Sequence, residues 1–359
     1  MSYRSCYLQG IGTAVPSYQL AQSDFLERLL RRAYSPNEQR YLKHILHDCS
    51  IKQRHLVLEL DHNGAIFYKG KHFEDQSTKS RNQVFMAEVS TMAELATQEC
   101  LSITKIPADK ITHLITVTCT GFSNPGFDID LIESIGLSKN VHRLSVGFMG
   151  CYAALPALEM ARTIVCAEKD AQVLVVCAEI CSIHFHPHGG KDSMLAATLF
   201  SDGVSVAHLS ADDNTSHLKV SESFSRLVPG SISQMAWMIG DQGFDIRLSP
   251  YVSKIIGANL DSILPGSWLA SIPGRTNWAV HPGGKSILDK VEAGLNLSPN
   301  ELDESRLILS EYGNMSSATI LFVLQRLLKN RCFDPEDIIH LLAFGPGLTV
   351  VGCQLVFNQ

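Results

Sequence analysis

Gly150-Cys151-Tyr152-Ala153-Ala154 and Gly313-Asn314-Met315-Ser316-Ser317 read as two versions of one text. Their surroundings repeat as well. Cys151 lies thirty-two residues after Cys119, the end of the apolar run Leu114-Ile115-Thr116-Val117-Thr118-Cys119. Asn314 lies thirty-three residues after His281, which closes Asn277-Trp278-Ala279-Val280. Each stretch opens a helical pattern, and each pattern leads to a second apolar run: Gln172 through Cys177 in one half, Ile339 through Phe344 in the other. Short α/β units share such spacings by chance, so coincidence is one reading. Duplication is the other, with Cys151 and Asn314 at equivalent helix starts about a pseudo-two-fold axis. The polar, turn-rich Ala211-Asp212-Asp213-Asn214-Thr215-Ser216 suits a boundary, giving halves 1–215 and 216–359.

Further out, Val204-Ser205-Val206-Ala207 and the closing Leu348 through Val356 add strands. Val89, Met92, Ala93, Ala96 and Cys100 share one helical face, as do Ile320, Val323, Leu324, Leu327 and Leu328. Both stripes read as core. Strands alternating with helices predict an α/β architecture.

Composition narrows the function. The 359 residues carry 30 Lys+Arg against 36 Asp+Glu, a net charge of −6. That balance argues against binding nucleic acid or an anionic membrane by bulk charge. With 45% hydrophobic and 18% charged residues the chain folds. No apolar run reaches the roughly 18–20 residues of a membrane helix, and Met1-Ser2-Tyr3-Arg4-Ser5-Cys6 lacks the apolar centre of a secretory signal. No membrane insertion and a cytoplasmic location are the expectations. The ten cysteines, spread along apolar runs without a Cys-x-x-Cys pair, read mostly as small buried hydrophobes.

Cys151 is the exception. Glycines flank it at the start of a helix, where unpaired N–H groups and the positive end of the dipole favour a thiolate. A nucleophile needs a base or cation, and His281 ends a strand before the open turn Pro282-Gly283-Gly284. Asn314 reads either as an ordinary helix cap or as a neutral donor to a developing oxyanion. Cys, His and Asn together suit acyl-thioester chemistry.

These residues, with His281-Pro282-Gly283-Gly284, Tyr312 through Ala318 and Gly345-Pro346-Gly347-Leu348-Thr349, resemble the type III polyketide synthases, the chalcone-synthase-like enzymes, in a bacterial-type form. The resemblance spans about residues 80–359. It implies the thiolase-like α/β fold, two duplicated βα halves in a five-layered αβαβα arrangement, and a homodimer. It implies an acyltransferase that takes an acyl-CoA starter and malonyl-CoA as substrates, with no cofactor and no metal. Cys151 would carry the growing chain, while His281 would maintain the thiolate. With Asn314, His281 would also hold the thioester oxygen as malonyl-CoA loses carbon dioxide. Phe200 matches the first gatekeeper, Ser316 would touch substrate, and His184 and the buried carboxylate of Glu179 would lie at the cavity. Glu179 would polarise a water during release.

Departures from the plant pattern are equally legible. The second gatekeeper position falls on Ile246, and Trp237 stands where plant members often have glycine. Cys119, in Thr118-Cys119-Thr120-Gly121 as in bacterial members, would line the cavity or serve as a strand-core thiol. Candidate CoA cations are Arg40, Lys43, His44, Lys52 and Arg54, although the family's spacing is not kept. A solvated basic face is the alternative. Gly283 and Ser286 would border the same entrance. His184-Phe185-His186-Pro187-His188 alternates like a strand and invites a zinc reading, but Pro187 and the following glycines end the strand. The expected activity is iterative condensation released as an alkyl α-pyrone, with resorcinol or phloroglucinol rings as further options. Competing readings are a single-condensation ketoacyl synthase III, a cysteine peptidase, which the glycine-rich endings oppose, and a silent dimeric scaffold that binds CoA esters.

Overall fold

The computed structural model describes residues 4–32, 34–186, 190–213, 217–249, 251–269 and 274–358. Asn214–Ser216 at the expected boundary, and His188 of the histidine cluster, lie outside them.

Nine strands form one sheet: β1 Cys6–Ala14, β2 His113–Thr118, β3 His142–Gly147, β4 Gln172–Ile180, β5 Asp202–Ser210, β6 Leu218–Leu227, β7 Thr276–Val280, β8 Ile338–Gly345 and β9 Thr349–Phe357. The apolar runs read from sequence all fall within or beside these strands. Their order is β3-β2-β4-β5-β1-β6-β9-β8-β7. From β2 inward and from β7 inward the two halves match. β2 pairs with β4 and β7 with β8 in parallel, and the remaining three pairings on each side are antiparallel, ending in the shared β1–β6 contact. That contact holds only Cys6↔Val220 and Tyr7↔Lys219, so within the sheet the halves are joined by a short ladder. The repeated text is a structural repeat.

Burial explains the layering. Residues alternate faces along a strand, and here both faces are apolar because both are covered. Val173, Val175 and Cys177 join a central core with Ile339, Leu341 and Ala343. Into that core pack α2 (Ala154–Ala167), through Leu155, Leu158 and Ala161, and α3 (Thr319–Asn330), through Ile320, Val323, Leu324 and Leu327. Leu174 and Val176 turn outward, under α1 (Thr78–Thr104) and its Val89–Met92–Ala93–Ala96–Cys100 stripe. On the opposite side Trp278, Leu342 and Phe344 meet Val252–Ile263 and Lys285–Gly294. Helices, one half of the sheet, helices, the other half of the sheet and helices make the five layers that the resemblance implied.

One buried group makes stability depend on pH. His340 has no side-chain hydrogen bond partner among the described residues and lies between Trp268 and Trp278, ring centroids 4.2 and 4.6 Å away. Burial pushes its imidazole down to about 4. An unfolded histidine titrates near ~6.5, so this contribution is intact above that pH and is lost as pH falls toward 4. His340→Phe is expected to flatten the fall in urea midpoint between pH 7 and pH 4.5. An unchanged slope would contradict this assignment.

Candidate active site

The turn before α2 puts Cys151 at the meeting of the halves. The helix begins at Ala154, so Cys151 sits in the preceding turn and not in the helix itself. Gly150 has φ +85°, and a Cβ there would lie 2.3 Å from Cδ of Pro346. A Cβ on Gly345 would lie 2.5 Å from Cδ1 of Tyr152, the residue after Cys151. Both positions need glycine because the end of β8 presses directly on the turn.

Asn314 is delivered from the other half. Its N–H donates to Leu199 O (3.0 Å), and its carbonyl accepts from Ser201 N–H (2.9 Å). A parallel bridge thus fixes Phe200 beside Asn314. The side-chain Oδ1 accepts the Ser316 N–H at 2.8 Å. That bond sets the amide orientation and leaves Nδ2 as a donor; Nδ2 and Oδ1 both lie 4.0 Å from Cys151 Sγ. His281 follows β7, its N–H bound to Leu342 O at 2.8 Å. It therefore stands at the same C-terminal end of the parallel strands as Gly345. The imidazole is fully buried, and neither ring nitrogen has a hydrogen bond partner among the described residues. Cys151 and Asn314 touch; His281 shares their end of the sheet without a hydrogen bond to either.

Electrostatics here are those of a dry site. Burial pushes the Cys151 thiol up to about 12, against the opposing donors Ser316 and Asn314. Burial also pushes His281 down to about 3. The thiolate expected from the helix start is thus outweighed by desolvation, and the resting pair is thiol and neutral imidazole.

A small pocket of about 40 Å³ opens at Cys151, lined by Cys119, Phe200, Trp237, Ile246 and Ser316 among others. Cys119 Sγ is 3.2 Å from Ser316 Oγ. Sequence reasoning passed over Thr120, Cys181, Met235, Ala236 and Pro346, which also line it. Pro346 and Thr120 had a signal, in the motifs Gly345-Pro346-Gly347 and Thr118-Cys119-Thr120-Gly121. Trp237 and Ile246 pair across the hairpin Met235–Gly240/Gly243–Leu248.

Glu179 requires a correction. It is fully buried and lines neither the Cys151 pocket nor the cavity beyond it. Its carboxylate accepts from Cys119 N–H (3.1 Å), Thr120 Oγ1 (2.8 Å) and Ser317 Oγ. Burial raises its pKa against those donors. Glu179 fixes the strand end that carries Cys119 and sits behind the pocket wall, close enough for its charge to bear on Cys151. His184, beyond the strand in the turn Cys181–His184, is bound on both nitrogens. Nδ1 accepts from Phe244 N–H (3.1 Å), so Nε2–H donates to Thr120 O (2.7 Å). It lines the larger cavity described below, not the Cys151 pocket.

Arg54 is the second correction. Expected among cations facing CoA, it is 2% exposed and donates to Gln22 Oε1 (3.0 Å) and to the Phe200 carbonyl (2.8 Å). It supports the Phe200 segment from behind. Arg40, Lys43 and His44 are exposed on the helix Pro36–Asp48, and Lys52 is exposed just after it. Asp48, at the end of that helix, is held below the ordinary carboxylate range by His47 first, with His44 and Lys285 adding. That end therefore lies near the start of Lys285–Gly294, where Ser286 is exposed beside half-buried Gly283.

Residues 3–213 match the N-terminal domain of the chalcone and stilbene synthases, and residues 219–357 match the C-terminal domain. The chain belongs to the chalcone and stilbene synthase family. It is 32% identical to probable polyketide synthase 1 of Dictyostelium discoideum over 375 residues, covering 99% of this chain but 12% of that protein's length. Among solved structures, the C-terminal type III polyketide synthase domain of Steely1, a type I/III hybrid from Dictyostelium, superposes with a TM-score of 0.89 at 29% identity. That match covers 99% of this chain and 100% of the domain. PKS-I of the brown alga Ectocarpus siliculosus gives 0.90 at 23%, covering 99% of each, and speaks for the fold alone. In this family fold the Cys151–Asn314 contact joins the two matched domains.

Proposed function

We propose that this member of the chalcone and stilbene synthase family is a type III polyketide synthase that extends an acyl-CoA starter with malonyl-CoA and needs no cofactor. The observation carrying this reading is the Asn314 amide beside Cys151, its Oδ1 accepting the Ser316 N–H and both amide atoms 4.0 Å from Cys151 Sγ. Cys151 sulfur attacks the starter carbonyl, His281 accepts the thiol proton, and the C–S bond to CoA breaks with that proton passing to the leaving thiolate. Malonyl-CoA then loses carbon dioxide. The electron pair of the broken C–C bond becomes an enolate, whose oxygen takes hydrogen bonds from neutral His281 and from Asn314 Nδ2. Its carbon attacks the thioester on Cys151, forming the C–C bond and expelling the cysteine sulfur. The lengthened chain returns to Cys151 for another round. Attack of an enol oxygen on the final thioester releases an alkyl α-pyrone, the closure that asks least of the site.

Exposed Arg40, Lys43, His44 and Lys52, with Gly283 and Ser286, would border the CoA entrance. The bacterial-type assignment rests on Cys119 and Ile246 alone. A homodimer is favoured by β3, an edge strand exposed along its length and bearing the apolar Leu144; a monomer in sedimentation would remove it. A cytoplasmic location suits the ten unbridged cysteines, and no described helix is long and apolar enough to cross a membrane.

Incubation with malonyl-CoA and a panel of acyl-CoAs tests the reading. Several carbon dioxide molecules released per product chain are expected. One per chain would favour the ketoacyl synthase III alternative, and none would favour the scaffold.

A further inference from the structure

The carbonyls of Leu195 through Phe200 run from the end of helix Gly190–Leu199 into the bridge that fixes Asn314, and all of them are taken. The last carbonyls of a helix lack intrahelical N–H partners. Leu195 O accepts from Thr198 Oγ1 (2.8 Å) and Ala196 O from Phe200 N–H (2.9 Å). Ala197 O and Phe200 O both accept from Arg54 Nη1, at 2.5 and 2.8 Å. Thr198 O accepts from Gln22 Nε2 (2.7 Å), while Gln22 Oε1 takes Arg54 Nε–H (3.0 Å). Leu199 O, between the carbonyls that these two side chains hold, receives the Asn314 N–H (3.0 Å).

Arg54 is an expensive way to cap a helix. Its guanidinium is buried, and no carboxylate accepts from it among the described residues. Asp202, whose charge bears on it, gives its oxygens instead to Val57 N–H (2.7 Å) and to Ser182 N–H (2.8 Å) and Oγ (2.6 Å). A buried charge without an ion pair is costly. In return, one planar fork ties Gln22, Ala197 and Phe200 into a single rigid unit. The aliphatic stem bears on the other member of the bridge as well. A Cβ on Gly313 would lie 2.9 Å from Arg54 Cγ and 3.0 Å from Leu199 O. Arg54 lines the larger cavity, about 210 Å³, behind Phe200, Trp237 and Ile246; it does not line the pocket at Cys151. Its route to the reacting atoms is the backbone it holds.

Resting on the reading of Asn314 as enolate donor, we infer that Arg54 is a positioning residue for the decarboxylating step: it fixes the Leu199–Ser201 backbone, which in turn holds the Asn314 amide beside Cys151. Starter loading, in which sulfur attacks a carbonyl with His281 as base, does not draw on this chain of contacts. Loosening Arg54 therefore separates the two half-reactions.

The test uses acetyl- and malonyl-CoA with the wild type, Arg54→Met, Arg54→Lys and Gln22→Leu. Loading is read as the rate of Cys151 adduct formation by quenched intact-protein mass spectrometry, decarboxylation as carbon dioxide released from malonyl-CoA, and folding as the thermal midpoint. Methionine fills much of the space of Arg54 and strands no charge. Arg54→Met is expected to lower kcat for decarboxylation by about 10–10²-fold, the cost of a donor misplaced by about 1 Å, with its KM and the loading rate within about threefold of wild type. Arg54→Lys keeps the charge but not the fork, and is expected to recover part of the loss. Gln22→Leu leaves Arg54 in place and frees Thr198 O; a smaller loss, confined to the same step, is expected. Decarboxylation by Arg54→Met within about threefold of wild type, or loading and decarboxylation that fall together in folded variants, overturns the inference alone. If Arg54→Met does not fold, Arg54→Lys and Gln22→Leu decide by the same comparison of the two steps. If the wild type forms no Cys151 adduct and releases no carbon dioxide, the functional reading fails and takes this inference with it.

Discussion

Cys151→Ala is expected to form no acyl thioester and no condensation product, a loss on the order of 10⁶-fold in product formation, the scale seen when a covalent nucleophile is removed. Slow carbon dioxide release from malonyl-CoA should nonetheless persist. On this reading the donors that hold the enolate oxygen belong to His281 and Asn314, and Asn314 meets the sulfur only at 4.0 Å. Decarboxylation in Cys151→Ala is therefore expected within about tenfold of the wild-type rate. Loss of both reactions together would mean that the sulfur organises the whole site, contrary to the geometry. The change is mild structurally, because Cys151 lies in a turn beside a pocket and the Asn314 amide gives up only a long 4.0 Å contact.

Asn314→Asp separates the donor from the fold. The aspartate keeps an oxygen for the Ser316 N–H at 2.8 Å, and the backbone bonds to Leu199 and Ser201 are untouched. Only the Nδ2 donor goes, replaced by an oxygen that carries negative charge in a dry site. Loss of one such donor costs on the order of 10²–10³-fold, and a carboxylate facing an enolate adds repulsion. Decarboxylation and condensation are both expected to fall by at least that much, with the thermal midpoint within a few degrees of wild type. A variant that decarboxylates normally would show that Nδ2 does not face the enolate, and would shift the role to His281 alone.

Much of this arrangement was legible in the chain. Strands such as Gln172–Ile180 are apolar on both faces because helices cover both, and continuous apolar runs are the pattern such strands leave in sequence. The stripes on α1 and α3 follow from helical period. The duplication could be read because one local solution, a glycine turn followed by a helix, was used twice, and that solution also places Cys151 and Asn314. What stayed hidden depends on partners distant in the chain. Arg54 looked like a solvated cation because Gln22 and the carbonyls of Ala197 and Phe200, which it satisfies, are remote in sequence. Glu179 looked like a base for the same reason: Thr120 and Ser317 occupy its oxygens only after folding. Trp237 was noticed as an oddity, but its place between two cavities arises from where the hairpin lands. Helix onset was misjudged by three residues, since a turn and a first helical turn share the same residue preferences.

The most direct measurement is peptide-mapped mass spectrometry of the wild-type protein, quenched during turnover with an acyl-CoA and malonyl-CoA. The peptide containing Cys151 should carry the starter as a thioester, together with forms longer by one and two malonyl-derived units. Product formation with that peptide unmodified, or with the acyl group on Cys119 or Cys181 instead, would contradict the account.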